Sequence, residues 1–274
     1  TVRAAACFSS STGAVRDTFY TGDNVEQCCG ILLRLAPSFL RVGSFEIFRS
    51  PDPLTAQAGP SAGLELELVE LGLPDPTAKS KRAQAGTKDK FLPALVKFAV
   101  SQCFPEVEAS VEQQLTDEGL VPDDAATSAR ASQLLGLGLL RQVVVRTARL
   151  VAGWEAVGFC HGLLNTDNMS LLGLTLDYGP FEFMGYYDPA LCPNVADDAG
   201  RYRFAAQREV CKWNMYKLAE ALAPVLPPAE GEAIVAHEFD LEFDKEWLFL
   251  FRQKLGLQRI IDLRASRRQS ELAG

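Results

Sequence analysis

The sequence lacks several features that mark well-known classes of protein. No apolar run approaches the ~20 residues that a membrane-spanning helix requires, so we expect no membrane span. The formal net charge is −8, which argues against a nucleic-acid partner bound through a basic surface. Histidine occurs only twice, and none of the seven cysteines has the spacing of a zinc site. We therefore expect most of the cysteines to be core residues or free thiols.

What is present is the composition of a globular protein, with 47% hydrophobic and 23% charged residues in 274. The chain is long enough for one large domain or two lobes. It begins at Thr1 without a signal or transit pattern, and we interpret it as a fragment. Residues 50–90, rich in Pro, Gly, Ala and Ser, are predicted to be a flexible insert. They separate a strand-rich part (1–49) from a helical part (91–263), and residues 264–274 form a polar tail.

Helical periodicity dominates the second half of the chain. A long pattern runs from about Ser128 to Phe159, although its glycines lower helix propensity and leave two helices possible. A second helix is predicted from Gln207 to Leu222. Two more segments, Glu230–Ala236 and Asp240–Leu255, are also predicted to be helical.

Between the first two of these helices lies the stretch that carries the candidate chemistry. Asp167 and Asn168 precede a short apolar segment whose predicted turn is at Leu172–Gly173, and Asp177 follows it. A tight hairpin brings its two ends together. We therefore expect the carboxylates of Asp167 and Asp177 and the amide of Asn168 to converge.

Such a set of oxygen atoms suits Mg²⁺, which takes few protein ligands and completes its shell with water and phosphates. We assign Asn168 and Asp177 to the metal and Asp167 to the role of general base for an attacking hydroxyl. The alternative is that Asp167 and Asn168 only close a loop, because Asp and Asn favour turns, and that Asp177 is an exposed acid at the end of a strand. His161, which leads into this stretch, is expected to hydrogen-bond loop backbone rather than to perform acid–base work.

These residues carry a family resemblance. The run from Gly162 to Pro180, which includes Asn-Thr-Asp-Asn-Met-Ser and Asp-Tyr-Gly-Pro, resembles the selenoprotein O family of kinase-like protein adenylyltransferases. Further blocks of the same family follow its order along most of the chain: Arg34–Arg41, Gly43–Glu46, Gly200–Tyr202, Trp213–Asn214 and Lys254–Leu257.

The resemblance implies an α+β, protein-kinase-like fold with a mostly helical C-lobe and a partial, truncated N-lobe. It implies transfer of AMP from ATP to Ser, Thr or Tyr hydroxyls of protein substrates, with Mg²⁺ as cofactor and Asp177 also at the nucleotide site. In the family, arginines matching Arg34 and Arg41 contact the nucleotide phosphates. A mitochondrial location also rests on the resemblance alone.

One departure from the family pattern leaves alternatives open. The segment from Thr1 to Gly30 contains neither a Gly-rich phosphate loop nor a lysine, so we expect this chain by itself to bind ATP poorly. One alternative is a non-catalytic, truncated kinase-like module that only binds other proteins. Another is an ordinary kinase that transfers the γ-phosphate, because residue spacing alone does not separate phosphoryl from adenylyl transfer.

Overall fold

The protein has an α+β fold in which five helices outweigh two small antiparallel sheets in the described residues. The structure, a computed structural model, describes residues 4–16, 25–48, 81–120 and 124–257. Side chains are described for residues 35–46, 91–120 and 124–257. The chain divides into two compact units, residues 1–39 and 40–274.

The first unit contains a β-hairpin. Strand β1 (Ala4–Arg16) pairs antiparallel with β2 (Val25–Leu35), and the register shifts between Ser9 and Gly13. These two strands agree with the strand-rich character that the sequence predicts for this part of the chain.

The second unit contains the helices and the candidate site. Its elements in chain order are a 3₁₀ helix (Val42–Phe48), α1 (Lys81–Cys103), α2 (Pro105–Asp117), α3 (Ala125–Ala156), β3 (Phe159–Cys160), a 3₁₀ turn (Thr166–Asn168), β4 (Glu182–Phe183), a 3₁₀ turn (Phe204–Ala206), α4 (Gln207–Leu222) and α5 (Pro228–Lys254). Phe159 pairs with Phe183 in the short β3–β4 sheet.

Helix α3 lies at the centre of this unit and contacts the other four helices. The prediction that its glycines could divide it into two helices was wrong. A Cβ at Gly138 would lie 2.4 Å from Val107 Cγ1 of α2, and one at Gly136 would lie 3.3 Å from Val225 Cγ2. These glycines therefore allow neighbouring elements to approach α3 closely, and the packing offsets their low helix propensity.

Helix α5 is also continuous, although the sequence suggested two segments. The side chains of Phe239 and Phe243 on its inner side are buried in the core. Its acidic residues pair with basic residues of α3 and α4: Glu238 with Arg141 (2.8 Å), Glu242 with Arg149 (2.6 Å), and Asp240 with Arg208 (2.9 Å) and Lys212. The helix crosses the predicted break because apolar packing and these ion pairs extend through it.

Several smaller predictions can be compared with the structure. Helix α4 has the predicted bounds, Gln207–Leu222. The first ten residues of helix α1, from Lys81, fall within the predicted insert (50–90), and the proposed division into four segments stays a prediction. The four cysteines among the side chains described are free: Cys103, Cys160, Cys192 and Cys211. None of the described helices has the length and hydropathy to cross a bilayer.

Glu155, near the end of α3, should make stability depend on pH. Burial raises the pKa of Glu155 to about 7, against a smaller opposing effect of Arg208. The pKa of Glu155 is higher in the folded protein than in the unfolded chain, so folding favours its protonated form. The resulting stabilisation is complete below pH ~4.3 and is lost as the pH rises through about 7. Taken at full size, this pKa shift would correspond to about 3 kcal/mol in the free energy of unfolding. Solvent screening at this half-buried site reduces that contribution to about 1 kcal/mol.

Glu155→Gln should therefore stabilise the protein at pH 8 relative to wild type by about 1 kcal/mol. At pH 5 the difference should be smaller. Urea unfolding at the two pH values measures this, with Glu209→Gln on the exposed side of α4 as the matched control for loss of a glutamate. Equal effects of Glu155→Gln at both pH values would contradict the expectation.

Candidate active site

The segment after the 3₁₀ turn folds back on itself as predicted. Met169 and Thr175 form an antiparallel bridge, and the Gly173 N–H donates to the carbonyl oxygen of Ser170 at 3.2 Å. Gly173 has φ +64°, and a Cβ there would lie 2.8 Å from the carbonyl oxygen of Arg146 on α3. Both the backbone conformation and the close approach to α3 require glycine. The hairpin turn is thus confirmed.

Asp167 and Asn168 lie in the 3₁₀ turn that precedes this hairpin. The Asn165 side chain accepts a hydrogen bond from the Asn168 backbone N–H at 3.2 Å and so closes the turn. Asn168 is buried, and its Nδ2 donates to the carbonyl oxygen of Leu163 at 2.9 Å. This bond occupies the amide nitrogen, so the oxygen Oδ1 is the atom suited to bind a cation. The Asp167 carboxylate is exposed.

Asp177 lies at the other end of the hairpin. It is exposed and has φ +52°, the single positive φ of a non-glycine residue in the described ranges. That conformation costs on the order of 1 kcal/mol, and such strain is concentrated at functional sites. Asp167 and Asp177 each lie two positions beyond the bridged pair Met169 and Thr175. The register thus returns the two ends of the hairpin toward each other, while binding of one ion by Asn168 and Asp177 stays a prediction.

His161 holds the backbone just before Asp177. Its Nε2–H donates to the carbonyl oxygen of Leu176 at 2.9 Å, and its ring is buried against Trp154. Its backbone N–H donates to Gln207 Oε1 at 2.9 Å. Burial lowers the pKa of His161, so the ring is neutral at pH 7. His161 therefore bonds loop backbone, as the sequence predicted.

Helices α3 and α4 also hold the stretch from Leu164 to Thr175. Trp154 Nε1 on α3 donates to Thr175 Oγ1 at 3.0 Å in a buried contact. Asn214 Nδ2 on α4 donates to the carbonyl oxygen of Leu164 at 2.9 Å. Buried polar groups fixed in this way have few alternative positions. The site is therefore built on rigid elements even though its functional residues lie in a loop.

A third chain segment lies beside the hairpin. The Val42 N–H donates to the carbonyl oxygen of Met169 at 2.8 Å, and the Leu171 N–H donates to that of Leu40 at 3.2 Å. Residues 40–42 thus run antiparallel to residues 169–171 and join the first 3₁₀ helix of this unit to the hairpin.

The two predicted phosphate-binding arginines have different outcomes. Arg41 Nη1 donates to the carbonyl oxygen of Asp167 at 2.8 Å, so the structure brings this residue to the 3₁₀ turn Thr166–Asn168. A guanidinium has five N–H donors, so this bond leaves capacity for a phosphate. The Arg34 side chain lies outside the residues with described side chains, and its backbone is in β2 of the other unit. Its role stays a prediction.

Sequence reasoning missed three residues of this site. Thr166 Oγ1 donates to Glu46 Oε1 at 2.5 Å. A Cβ on Gly43 would lie 2.2 Å from Asp167 Oδ1. One signal was present in the sequence: Glu46 is an acidic residue within an apolar run, and such a group needs a polar partner when it is buried.

The donor set also bears on which metal could bind. Within the described residues, no group of three or more His, Cys, Asp or Glu side chains is placed to hold an ion. The set predicted from the sequence contains two carboxylates and one amide, with Asn168 and Asp177 assigned to the ion. Two protein ligands of this kind fit Mg²⁺ bound together with substrate phosphates and water, rather than a zinc site.

Comparison with known proteins identifies the family. Residues 81–272 match the family model described as protein adenylyltransferase SelO. This chain belongs to the SelO family. The SelO match includes the 3₁₀ turn with Asp167 and Asn168, the hairpin and Asp177, and so confirms the resemblance based on those motifs.

Comparison with individual relatives supports the same family assignment. The chain is 43% identical over 260 residues to mouse "Protein adenylyltransferase SelO, mitochondrial" and to its human counterpart, covering 95% of this chain and 33% of each relative. It is 35% identical over 285 residues to "Protein nucleotidyltransferase YdiU" of Xanthomonas axonopodis pv. citri, covering 99% of this chain and 43% of that protein. The chain thus spans about a third of the length of the mouse and human SelO proteins.

Proposed function

We propose that this chain carries the catalytic segment of a protein adenylyltransferase. The reaction would transfer AMP from ATP to a Ser, Thr or Tyr hydroxyl of a protein substrate. The observation that carries the proposal is the hairpin closed by the Met169–Thr175 bridge, which has Asp167 and Asn168 at one end and Asp177 at the other. Relatives named adenylyltransferases and nucleotidyltransferases support it.

In this proposal Asp167 acts as the general base. The acceptor hydroxyl oxygen attacks the α-phosphorus of ATP, its proton passes to the Asp167 carboxylate, and pyrophosphate leaves. The carboxylate is exposed and so open to a substrate hydroxyl. Arg41, which already bonds the Asp167 carbonyl, and Arg34 would bind phosphate oxygens through their planar forks of donors.

Asn168 and Asp177 would hold Mg²⁺. The orientation of the Asn168 amide supports this assignment, because its nitrogen is bonded to Leu163 and its oxygen is the group left for a cation. When bound, the ion would neutralise phosphate charge. The strained backbone at Asp177 supports a functional role for that carboxylate.

Two further proposals rest on family membership. The helical unit would be the C-lobe of a protein-kinase-like fold, with the β1–β2 hairpin as part of its N-lobe. Mouse, human and zebrafish relatives are named mitochondrial, which supports the same location for this protein. The binding partners in the proposed reaction are ATP and a substrate protein.

Isotope labelling tests the proposed reaction against both alternatives. The protein expressed from its complete gene is incubated with Mg²⁺ and a panel of candidate substrate proteins, with ATP radioactive at either the α- or the γ-phosphate. Adenylyl transfer labels protein from α-labelled ATP only. Labelling from γ-labelled ATP only would replace the proposal with a kinase, and no labelling from either would favour a non-catalytic binding module.

A further inference from the structure

We propose that Glu46 is a positioning residue, which holds the 3₁₀ turn Thr166–Asn168 (the catalytic turn of the proposed function) through the Thr166 hydroxyl and thereby fixes the orientation of Asp167. This inference rests on the proposed function, because it takes Asp167 as the base. It adds a residue that does not touch substrate and acts only through its neighbour.

The contact itself is short and partly buried. Thr166 Oγ1 donates to Glu46 Oε1 at 2.5 Å, within the range of hydrogen bonds from a hydroxyl to a carboxylate. Thr166 is buried and Glu46 is partly buried. The bond joins residues 120 positions apart and reaches the residue directly before Asp167. A shift of the Thr166 side chain is therefore transmitted to the base through a single peptide unit.

Glu46 is itself firmly held. It lies in the 3₁₀ helix Val42–Phe48, whose Phe45 side chain is fully buried in the core. At the start of that helix the Arg41 N–H donates to Ser44 Oγ at 3.3 Å, and the Ser44 N–H donates to the Arg41 carbonyl oxygen at 3.1 Å. The carboxylate thus extends from an anchored backbone, which is what a positioning residue requires.

Three contacts from this one segment meet the catalytic turn. Arg41 bonds the Asp167 carbonyl oxygen, Glu46 bonds the preceding hydroxyl, and Gly43 leaves room for the Asp167 carboxylate. They act on the backbone, the neighbouring side chain and the carboxylate of the same short turn. The Glu46–Thr166 bond is the one that can be removed without touching Asp167 or a phosphate-binding residue, so it isolates the positioning effect.

Conservative and disruptive pairs of variants test the inference in the protein expressed from its complete gene. Thr166→Val removes the donor, and Glu46→Ala removes the acceptor. Each should lower kcat for AMP transfer about tenfold with less than about a twofold change in KM for ATP. Thr166→Ser and Glu46→Gln keep a hydroxyl and an acceptor oxygen, and should retain at least about half of the wild-type kcat. Thr116→Val, which removes an exposed hydroxyl from α2, is the matched control.

The double variant separates a shared contact from two unrelated defects. If Glu46 acts through Thr166, combining Glu46→Ala with Thr166→Val should lower kcat no further than either alone. The inference would be overturned if the two reductions in kcat multiplied in the double variant, or if Thr166→Val kept the wild-type kcat. Either result would leave the proposed adenylyl transfer intact. Equal losses in Thr166→Ser and Thr166→Val would also overturn the inference, because a purely structural or steric role would give that result.

A second readout does not depend on catalysis. Amide hydrogen exchange of residues 162–170, measured by mass spectrometry without ATP, should be faster in Thr166→Val and Glu46→Ala than in wild type. If the wild-type protein transfers no AMP, the proposed function fails and exchange alone decides whether Glu46 orders the turn. Unchanged exchange in both variants then overturns the inference, and faster exchange supports it.

Discussion

In the protein expressed from its complete gene, the proposed function predicts that Asp167→Asn abolishes most AMP transfer while leaving the fold and ATP binding in place. A positioned general base contributes about 10²- to 10⁴-fold to rate, so kcat should fall by that range. The Asn side chain has nearly the same shape, and the Arg41 bond is to the backbone carbonyl of residue 167, so both neighbouring contacts remain. The carboxylate is exposed, and its loss should therefore change the melting temperature little. Steady-state kinetics of AMP transfer together with thermal unfolding measure these effects.

A comparison with Asp177→Asn separates the base from the metal ligand. Asp177→Asn should raise the Mg²⁺ concentration needed for half-maximal rate, and part of its activity should return at high Mg²⁺. Asp167→Asn should stay inactive at every Mg²⁺ concentration. Asp198→Asn, an exposed aspartate of the following loop, serves as the control. If added Mg²⁺ restored Asp167→Asn, the two assignments would have to be exchanged.

The hairpin could be predicted because its determinants are local. Gly173 marks the turn, apolar residues flank it, and an antiparallel hairpin returns its ends to one place whatever surrounds it. The same holds for α4, whose apolar positions repeat with helical period and which ends just before Pro224. The sequence was therefore sufficient to predict elements whose structure is determined by residues that are neighbours in the chain.

The continuity of α3 could not be predicted in that way. Gly136 and Gly138 reduce helix propensity, yet in the folded protein they lie against Val225 and Val107. Only the packing partner, remote in sequence, shows that glycine allows close contact there rather than ending the helix. Local propensity and tertiary packing oppose each other at these positions, and packing prevails.

The candidate site likewise combines residues that are close in sequence with a contact between residues that are remote in sequence. Asp167, Asn168 and Asp177 lie within eleven residues, so one local motif places all three in the same hairpin. Glu46 meets Thr166 across 120 residues, and no periodicity or spacing connects them. Long-range contacts of this kind depend on how the first 3₁₀ helix packs beside α4, and a single sequence does not report that packing.

The proposed function predicts that Gly43→Ala lowers AMP transfer nearly as strongly as Asp167→Asn, although it removes no functional group. An added Cβ would lie 2.2 Å from Asp167 Oδ1 and 3.3 Å from the Asp167 backbone nitrogen. The carboxylate must therefore leave its position, and a misplacement of about 1 Å can reduce catalysis about 10²-fold. Because the clash can be relieved by rotation of an exposed side chain, the free energy of unfolding should fall by only about 1 kcal/mol.

Two glycine controls make this effect specific to the site. Gly185→Ala adds a methyl in the loop after Asp177, where a Cβ meets nothing within 4 Å, and should leave transfer unchanged. Gly153→Ala adds one on α3 with the same open space, and should stabilise the helix by about 0.5–1 kcal/mol. In the double variant Gly43→Ala with Asp167→Asn, the losses should not multiply, because both act on the same carboxylate. Multiplied losses, or full activity of Gly43→Ala, would show that the Asp167 carboxylate does not react from the position it occupies beside Gly43.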